Sequence, residues 1–113
     1  MFKKSFRLRK KADFERVFRQ GRPLFFGPIG CRLVKNNLSH LRIGFSFGKK
    51  HLRTAVGRNA VRRLLMGRLI SLDQAILKKP YDVVFFTVKP LFPGNRQFFA
   101  SVVENIVEYI GRI

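Results

Sequence analysis

Residues 81–90, with the sequence YDVVFFTVKP, place the strongest constraint on how this chain can fold. Their apolar side chains run continuously from Val83 to Phe86 and do not alternate with polar ones. A strand of this kind belongs at the centre of a sheet with both faces covered, because neither face could lie against water. We therefore predict a central strand, paired on both sides, that ends at Pro90.

Two further segments show the apolar period of an amphipathic helix. In residues 54–72 an arc of about 140° is apolar at about 100° per residue, and it holds Val61, Leu64, Leu65, Leu69 and Leu72. In residues 95–111 one stripe holds Phe99, Val102, Val103, Ile106 and Ile110. Arg68 falls inside the apolar arc of the earlier helix, and we expect its long side chain to reach outward to solvent.

The rest of the chain predicts one short helix and three strands. Residues 12–21, ADFERVFRQG, indicate a helix with Asp13 as its N-cap and Gly21 as its stop. The runs LFF, IGCRLV and LRIGFSFG, which follow Pro23, are rich in strand-forming residues and predict consecutive antiparallel strands. The order is therefore α-β-β-β-α-β-α. We predict a single α+β domain over residues 1–113, packed as a sandwich.

The charge of the chain is large and unevenly distributed. The net charge is +18, and the first 72 residues contribute +17 of it, with nineteen Lys or Arg against Asp13 and Glu15. Charge of one sign destabilises the compact state by self-repulsion, so a polyanion that neutralises it should bind and stabilise the fold. Nucleic acid is the first candidate for that polyanion.

The basic charge is densest in residues 49–69, KKHLRTAVGRNAVRRLLMGRL, which contain no Asp or Glu. Beside the apolar arc of the predicted helix, a second arc holds Arg58, Asn59, Arg62 and Arg63. Such a run is often a solvated face, but Arg58 and Arg62 repel each other at i,i+4 with no acidic neighbour to compensate. Guanidinium groups grip phosphates at two points, and Asn59 can bond to a base edge or a 2′-hydroxyl. The pattern predicts a phosphate-binding helix face.

Two features fit either packing or RNA binding. Phe14 and Phe18 are spaced i,i+4 on the first helix, where they either pack that helix onto the sheet or line a groove for unpaired bases. The third strand has a nearly bare side formed by Gly44, Ser46 and Gly48. Small residues there let a helix pack closely, or they leave a trough for an extended nucleic-acid strand. The sequence leaves both alternatives open.

Catalysis by the protein itself is not supported by the sequence. The six acidic residues are scattered, so no carboxylate cluster is predicted to hold a metal ion. His40 and His51 are the only histidines, Cys31 on a strand is typical of a packed residue, and no zinc-ligand spacing occurs. We predict no catalytic residue, no metal site and no cofactor bound by the protein alone.

The lone cysteine cannot form an internal disulfide, which favours a reducing compartment. No apolar run approaches the roughly 18 residues that a membrane span needs, and residues 1–11 lack the apolar core of a signal peptide. We therefore expect a cytoplasmic protein that contacts no membrane and has no obligate protein partner.

The basic segment resembles the most distinctive motif of the bacterial ribonuclease P protein component. That motif has a strand ending in two lysines, then Ala-Val, Arg-Asn and a basic pair. The matching residues here are RIGFSFGKK, Ala55-Val56, Arg58-Asn59 and Arg62-Arg63. Residues 7–23, RLRKKADFERVFRQGRP, are similar to the family's first helix and its approach, and YDVVFFTVKP is similar to its last strand. The resemblance covers nearly the whole chain.

The resemblance implies the protein subunit of an endoribonuclease that removes the 5′ leader of precursor tRNA, with chemistry supplied by an RNA subunit and its magnesium ions. The expected partners are that catalytic RNA subunit and the precursor tRNA. Candidate contacts to the RNA subunit are Lys49, Lys50, Arg53, Arg58, Asn59, Arg62 and Arg63. Candidate contacts to the leader are Phe14, Phe18 and Arg32. The alternative interpretation is an RNA-binding ribosomal or assembly protein of similar fold with no role in cleavage.

The chain also departs from the family pattern. Ala60 and Met66 stand where the family usually has basic residues, which weakens the cationic face, and Arg68 is a candidate replacement for the second. Arg32 stands near a position where the family often has an aromatic residue, so leader binding there relies more on charge than on stacking. The family further implies a left-handed crossover from the third strand through the basic helix to the last strand, against the usual right-handed rule.

Overall fold

The chain forms one four-stranded mixed sheet with helices on both of its faces. A computed structural model describes residues 6–72 and 74–112, without the side chains at positions 70–72 and 74. The helices are α1 (Lys11–Gln20), α2 (Ala55–Leu72) and α3 (Arg96–Arg112), and the strands are β1 (Arg22–Phe26), β2 (Ile29–Lys35), β3 (Arg42–Ser46) and β4 (Tyr81–Thr87). A short 3-10 helix, Gln74–Lys78, leads into β4. The predicted α+β class and element order are confirmed, while the assignment of residues 1–113 to one domain stays a prediction.

The central position predicted for β4 is confirmed. The strand order is β1-β2-β4-β3. β4 pairs antiparallel with β2 and parallel with β3. The strand is buried at its centre, where Val83, Val84 and Phe85 are each at most 1% exposed. Helices cover both faces of the sheet at this strand.

The prediction of three consecutive antiparallel strands is wrong for β3. β1 and β2 form an antiparallel hairpin, but β4 lies between β2 and β3. Strand propensity identifies β3 but does not identify the strand that pairs with it. Because both faces of β4 are apolar, β4 takes an interior position and β3 is left at the edge. The β3-α2-β4 connection is a crossover between parallel neighbours, and its left-handedness stays a prediction.

α2 and α3 cover one face of the sheet, which we call the core face. The buried side chains that the helices contribute to it are Val61, Leu65, Leu69, Phe99, Val102, Val103, Ile106 and Ile110. They pack against strand residues that include Cys31, Ile43 and Phe85. The two predicted apolar stripes are confirmed, with Leu64 only partly buried and the side chain of Leu72 outside the described residues.

α1 covers the opposite face, which we call the α1 face. Its fully buried apolar cluster is small and consists of Leu8, Val17 and Val84, with Phe14 packed beside it. A Cβ built on Gly44 would lie 2.6 Å from the Phe14 ring, so the glycine permits the close approach of α1. Of the two alternatives for the bare side of β3, close helix packing therefore applies at Gly44. A Cβ on Gly48 would meet nothing within 4 Å.

The predicted N-cap of α1 is wrong, whereas its stop is confirmed. Lys10 is the N-cap, and its carbonyl accepts the N–H groups of Asp13 and Phe14 at 3.1 and 3.2 Å. Asp13 lies inside the first turn, where the helix dipole favours negative charge, and its carboxylate is drawn to Arg42 at 3.4 Å. α1 ends at Gly21, where a Cβ would come within 2.3 Å of the Val17 carbonyl oxygen.

Candidate nucleic-acid interface

α2 turns its basic residues away from the core. Its first turn is capped by Thr54, whose Oγ1 accepts the Gly57 N–H at 3.0 Å. Burial of Val61 and Leu65 on the core face directs the opposite side of the helix outward. Among the predicted contacts to RNA, five are exposed, namely Lys49, Lys50, Arg53, Asn59 and Arg63, while Arg58 and Arg62 are half-buried.

Hydrogen bonds to the protein orient two of these arginines. Arg58 Nη1 donates to the Leu52 carbonyl at 2.8 Å, which ties the turn at residues 49–52 to α2. Arg62 Nη1 donates to Asn59 Oδ1 at 2.7 Å. A guanidinium group has five N–H donors, so one bond to the protein still leaves donors for a phosphate oxygen.

A groove of about 420 Å³ lies beside β3 at the edge of the sheet, and we call it the edge groove. One wall is formed by Arg7, Leu8 and Arg9, and another by Asn59, Arg62, Arg63 and Met66 of α2. Phe14 and residues 43–45 form its floor. The described residues that line the edge groove include four arginines and no carboxylate.

The N-terminal wall of the edge groove was missed by the sequence prediction. The Leu8 N–H donates to the Ile43 carbonyl at 2.8 Å, and Arg7 forms a parallel bridge with Ile43, so this segment extends the sheet beyond β3. Leu8 is buried between two exposed arginines. This basic-apolar-basic alternation is the signal that would have predicted a strand-like segment here.

Beyond that wall, basic charge continues over the end of the sheet. An adjoining cavity of about 460 Å³ is lined by Arg7, Arg9, Lys10, Arg42 and one carboxylate, that of Asp13. Basic side chains from the N-terminal segment, β3 and α2 are thus brought onto one continuous surface.

Met66 lines the edge groove where the resemblance leads us to expect a basic residue. Arg68 does not replace it, because its guanidinium donates to Glu104 Oε1 at 2.8 Å, on the side of α2 that adjoins α3. Arg68 is exposed, which agrees with the prediction that it reaches outward from the apolar arc. This stretch of the edge groove is therefore apolar.

Five of the seven predicted contacts to RNA line one of two grooves. Asn59, Arg62 and Arg63 meet in the edge groove. Lys50 and Arg53 line a separate groove of about 410 Å³ at the start of α2, against the loop that leads into α3. The structure therefore brings Asn59, Arg62 and Arg63 together and sets Lys50 and Arg53 apart.

An exposed aromatic cluster lies on the α1 face and consists of Phe18, Phe25 and Phe86. The Phe86 ring centroid lies 5.8 Å from that of Phe18 and 6.1 Å from that of Phe25. Phe25 is 62% exposed and Phe18 is 36% exposed. A Cβ on Gly30 would lie 2.6 Å from the Phe86 ring, so this glycine makes room for the cluster.

Two members of the aromatic cluster, Phe25 and Phe86, were missed by the sequence prediction. They stand in one row across the sheet, because Gly30 pairs with both of them. Their shared face follows from strand register, which the sequence did not supply. Gly30 within an apolar strand is a signal for close approach of another group.

The three residues predicted for leader binding share the α1 face but serve different purposes. Phe14 packs over Gly44 and also lines the edge groove. Phe18 contributes to the aromatic cluster. Arg32 Nη1 donates to the Gly21 carbonyl at 3.1 Å, beneath the end of α1. Phe14 therefore mainly holds α1 to the sheet, whereas Phe18 keeps an exposed ring.

A buried carboxylate joins α1 to the sheet. Asp82, on β4, is 0% exposed and accepts two bonds from Arg42, at 2.9 Å from Nε and 2.8 Å from Nη2. Asn36 Nδ2 donates to it at 2.9 Å, and Arg16 of α1 pairs with its second oxygen. We call Arg16, Asn36, Arg42 and Asp82 the Asp82 network.

The pKa values follow from burial and pairing. Burial alone would raise the pKa of Asp82, but hydrogen bonds from Arg42 and Asn36 and the adjacent positive charges outweigh it and hold that pKa below its usual range. The bond to Asp82 raises the pKa of Arg42. Burial raises the pKa of the Cys31 thiol to about 12, so Cys31 is a packed, protonated side chain rather than a nucleophile.

Residues 6–72 and 74–112 show no group of three or more His, Cys, Asp or Glu that could hold a metal ion. Within the same residues, no helix combines the length and the apolar content that crossing a bilayer requires.

Comparison with known proteins decides the family. The family model described as Ribonuclease P matches residues 2–110. The chain belongs to the ribonuclease P family. A ribonuclease P protein component of Haemophilus influenzae (strain PittGG) is 32% identical over 105 residues, which cover 93% of this chain and 87% of that protein. Another from Exiguobacterium sp. is 36% identical over 88 residues, covering 78% of this chain and 75% of that protein.

Solved ribonuclease P proteins share the fold. The RNase P protein of Staphylococcus aureus superposes with a TM-score of 0.76 at 25% identity, covering 93% of this chain and 97% of that one. The RNase P protein of Thermotoga maritima gives a TM-score of 0.71 at 25% identity, with 95% and 96% covered. The chain is therefore a protein subunit of the ribonuclease P holoenzyme, works with an RNA component and serves 5′ maturation of tRNA. The comparisons do not support a ribosomal or assembly protein.

Proposed function

We propose that the edge groove binds the catalytic RNA subunit of ribonuclease P and that the aromatic cluster holds the single-stranded leader of precursor tRNA. The observation that carries the first assignment is the lining of the edge groove, with two arginines on each wall and no carboxylate among its described residues. Guanidinium groups that two segments contribute to one groove suit a phosphate backbone bound there.

The leader assignment rests on exposed aromatic area beside positive charge. Phe25 and Phe18 present ring surface to solvent on either side of Phe86. Bases of a single strand stack on such rings whatever their sequence, and nearby cations hold the backbone. Arg32 lies on the same face and supplies one of these cations.

On this proposal the RNA subunit and its magnesium ions cleave the phosphodiester bond, and the protein supplies binding only. We place this work in the cytoplasm, which the single, buried free thiol of Cys31 supports. An assay of leader removal tests whether the RNA performs the cleavage and the protein supplies binding. Purified protein added to the catalytic RNA at low magnesium should restore leader removal, whereas protein alone, free of RNA, should cut nothing. Cleavage by the protein alone would overturn this division of labour.

The salt dependence of binding tests the edge groove. If roughly six to ten phosphates are contacted, affinity for the catalytic RNA should fall by roughly 10³ to 10⁵ between about 50 and 200 mM salt. The double variant Arg62→Ala, Arg63→Ala should bind more weakly and with a shallower slope, while its circular dichroism stays that of the parent. A flat salt dependence in the parent protein would contradict the proposal.

Substitution of Phe25 tests the leader site. Phe25→Ala should cost about 1–3 kcal/mol in binding of precursor tRNA, since it removes one stacking surface. Binding of mature tRNA, which lacks the leader, should not change. Phe92→Ala removes another highly exposed ring, in the loop before α3, and is the matched control. Equal losses for the two variants, or a loss with mature tRNA, would place the leader elsewhere.

A further inference from the structure

Another basic groove lies on the other flank of α2, between α2 and α3, and we call it the helix groove. It has a volume of about 350 Å³. Arg63, Gly67 and Arg68 line it from α2, and Arg96, Phe99 and Ala100 line it from α3. None of the contacts to RNA predicted from the sequence lies there except Arg63.

The charge of the helix groove is positive. Three arginines line it, and among the described residues Arg68 pairs with Glu104 at 2.8 Å. Arg63 and Arg96 form no ion pair with the described residues. These two arginines supply positive charge that a phosphate can neutralise.

Gly67 gives the helix groove an open floor. It lies in the interior of α2, where glycine costs stability relative to alanine. A Cβ built on Gly67 would meet nothing within 4 Å, so packing inside the protein does not require the glycine. A bare helix backbone between Arg63 and Arg68 suits the close approach of a ligand.

The helix groove and the edge groove are joined at one residue. Arg63 lines both, so a single RNA element held along one side of α2 reaches the other side without a break in positive charge. α3 also begins at Arg96 and carries no acidic residue in its first turn, so the positive end of its dipole adds to the field.

We propose that the helix groove is a second phosphate-backbone site for the catalytic RNA, with Arg96 as its principal cation and Gly67 as the point of close approach. The inference rests on the proposed function, because it assigns the same RNA partner. In this arrangement RNA contacts both flanks of α2, and Arg63 is shared between the two contacts.

The test compares three single variants in binding to the catalytic RNA across a salt series. Arg96→Ala should weaken affinity about three- to tenfold and reduce the salt slope by about 1. Arg112→Ala is the matched control, since it removes the same charge from the same helix about 24 Å along its axis. Arg62→Ala reports on the edge groove alone.

The pattern of losses separates the two proposals. Losses for Arg62→Ala and Arg96→Ala with none for Arg112→Ala support both. A loss for Arg62→Ala alone overturns the helix groove and leaves the edge groove standing. Equal losses for all three would show that only total charge matters, which overturns both. Parent-like binding by both Arg62→Ala and Arg96→Ala overturns both.

The variant Gly67→Gln tests the inference without destabilising the fold. The glutamine should leave the melting temperature unchanged or raise it, because helix propensity improves. It should nevertheless weaken RNA binding, since its side chain occupies the helix groove. A variant that is as stable as the parent and binds RNA equally well would contradict the inference.

Discussion

The two faces of the sheet are held in different ways. On the core face, two helices bury a continuous set of large apolar side chains. On the α1 face, a single ten-residue helix packs through a buried apolar cluster that holds three of the described residues. A buried carboxylate with its three partners makes the remaining connection. Hydrophobic area stabilises the first face, whereas directed charge and hydrogen bonding position the second.

This difference matters because the aromatic cluster is on the α1 face. A thin helical cover leaves Phe18 and Phe25 exposed. The position of α1, and so of Phe18, depends on the pair between Arg16 and Asp82 as well as on packing. The face with less apolar support is thus the one that carries the exposed rings proposed to bind the leader.

Loss of the buried carboxylate should have the largest effect on stability. Asp82→Ala leaves Arg42 and Arg16 without their shared anion, which should cost about 3–5 kcal/mol in free energy of unfolding by urea. Glu108→Ala, which breaks the exposed pair with Arg112 on α3, should stay within about 0.5 kcal/mol. Similar losses for both would mean that the Asp82 network does not hold the α1 face.

Acid should weaken the α1 face specifically and by less than removal of Asp82. The pKa of Asp82 in the folded chain lies below its usual range, so the carboxylate contributes stability that is complete above its unfolded pKa of about 4. That contribution is lost as pH falls through the lower, folded pKa. Urea unfolding should be insensitive to this group from about pH 7 to 5. Asp82→Asn should remove part of the decline below that range, and an unchanged decline would contradict the assignment.

A single added methyl group should show how closely α1 approaches the sheet. Gly44→Ala brings a Cβ to 2.6 Å from the Phe14 ring and 3.1 Å from Leu8 Cβ, which should cost about 1–3 kcal/mol. Gly48→Ala, just beyond the same strand, meets open space and should stay within about 0.5 kcal/mol. Equal melting temperatures for the two variants would show that α1 packs more loosely.

A methyl group added to α2, on the core face, should have the smallest effect, and it should raise the stability of the chain. Gly67→Ala adds a methyl group to α2 where nothing lies within 4 Å, and it should stabilise the chain by about 0.5–1 kcal/mol through helix propensity. Thermal unfolding beside Gly44→Ala checks the contrast. A loss of stability for Gly67→Ala would mean that the glycine serves the fold itself.

Sequence periodicity predicted the elements well because it reports which side of each element is covered. β4, α2 and α3 were predicted from their apolar patterns, and the buried residues follow those patterns. Periodicity says nothing about which strands are neighbours, so β3 was paired with the wrong strand. Asp82 within an apolar strand was a signal that a buried charge needs partners, but their identity depends on that missing topology.

The candidate site was also predicted only in part, for the same reason. The basic side of α2 was predicted because helical spacing alone places Asn59, Arg62 and Arg63 together. Arg7 and Arg9 join them only through the bridge of the N-terminal segment to β3. Phe25 and Phe86 meet only through the register of three strands. Local spacing identified one wall of the edge groove, and tertiary pairing supplied the rest.

The position of β4 between β2 and β3 also determines when the sheet can form during synthesis of the chain. During translation the hairpin and β3 are synthesised first, yet they have no hydrogen-bonding neighbour in common until residues 81–87 follow. Contacts so distant along the chain form slowly. The nascent polypeptide thus carries nearly all of its positive charge before the strand that completes its sheet has been made.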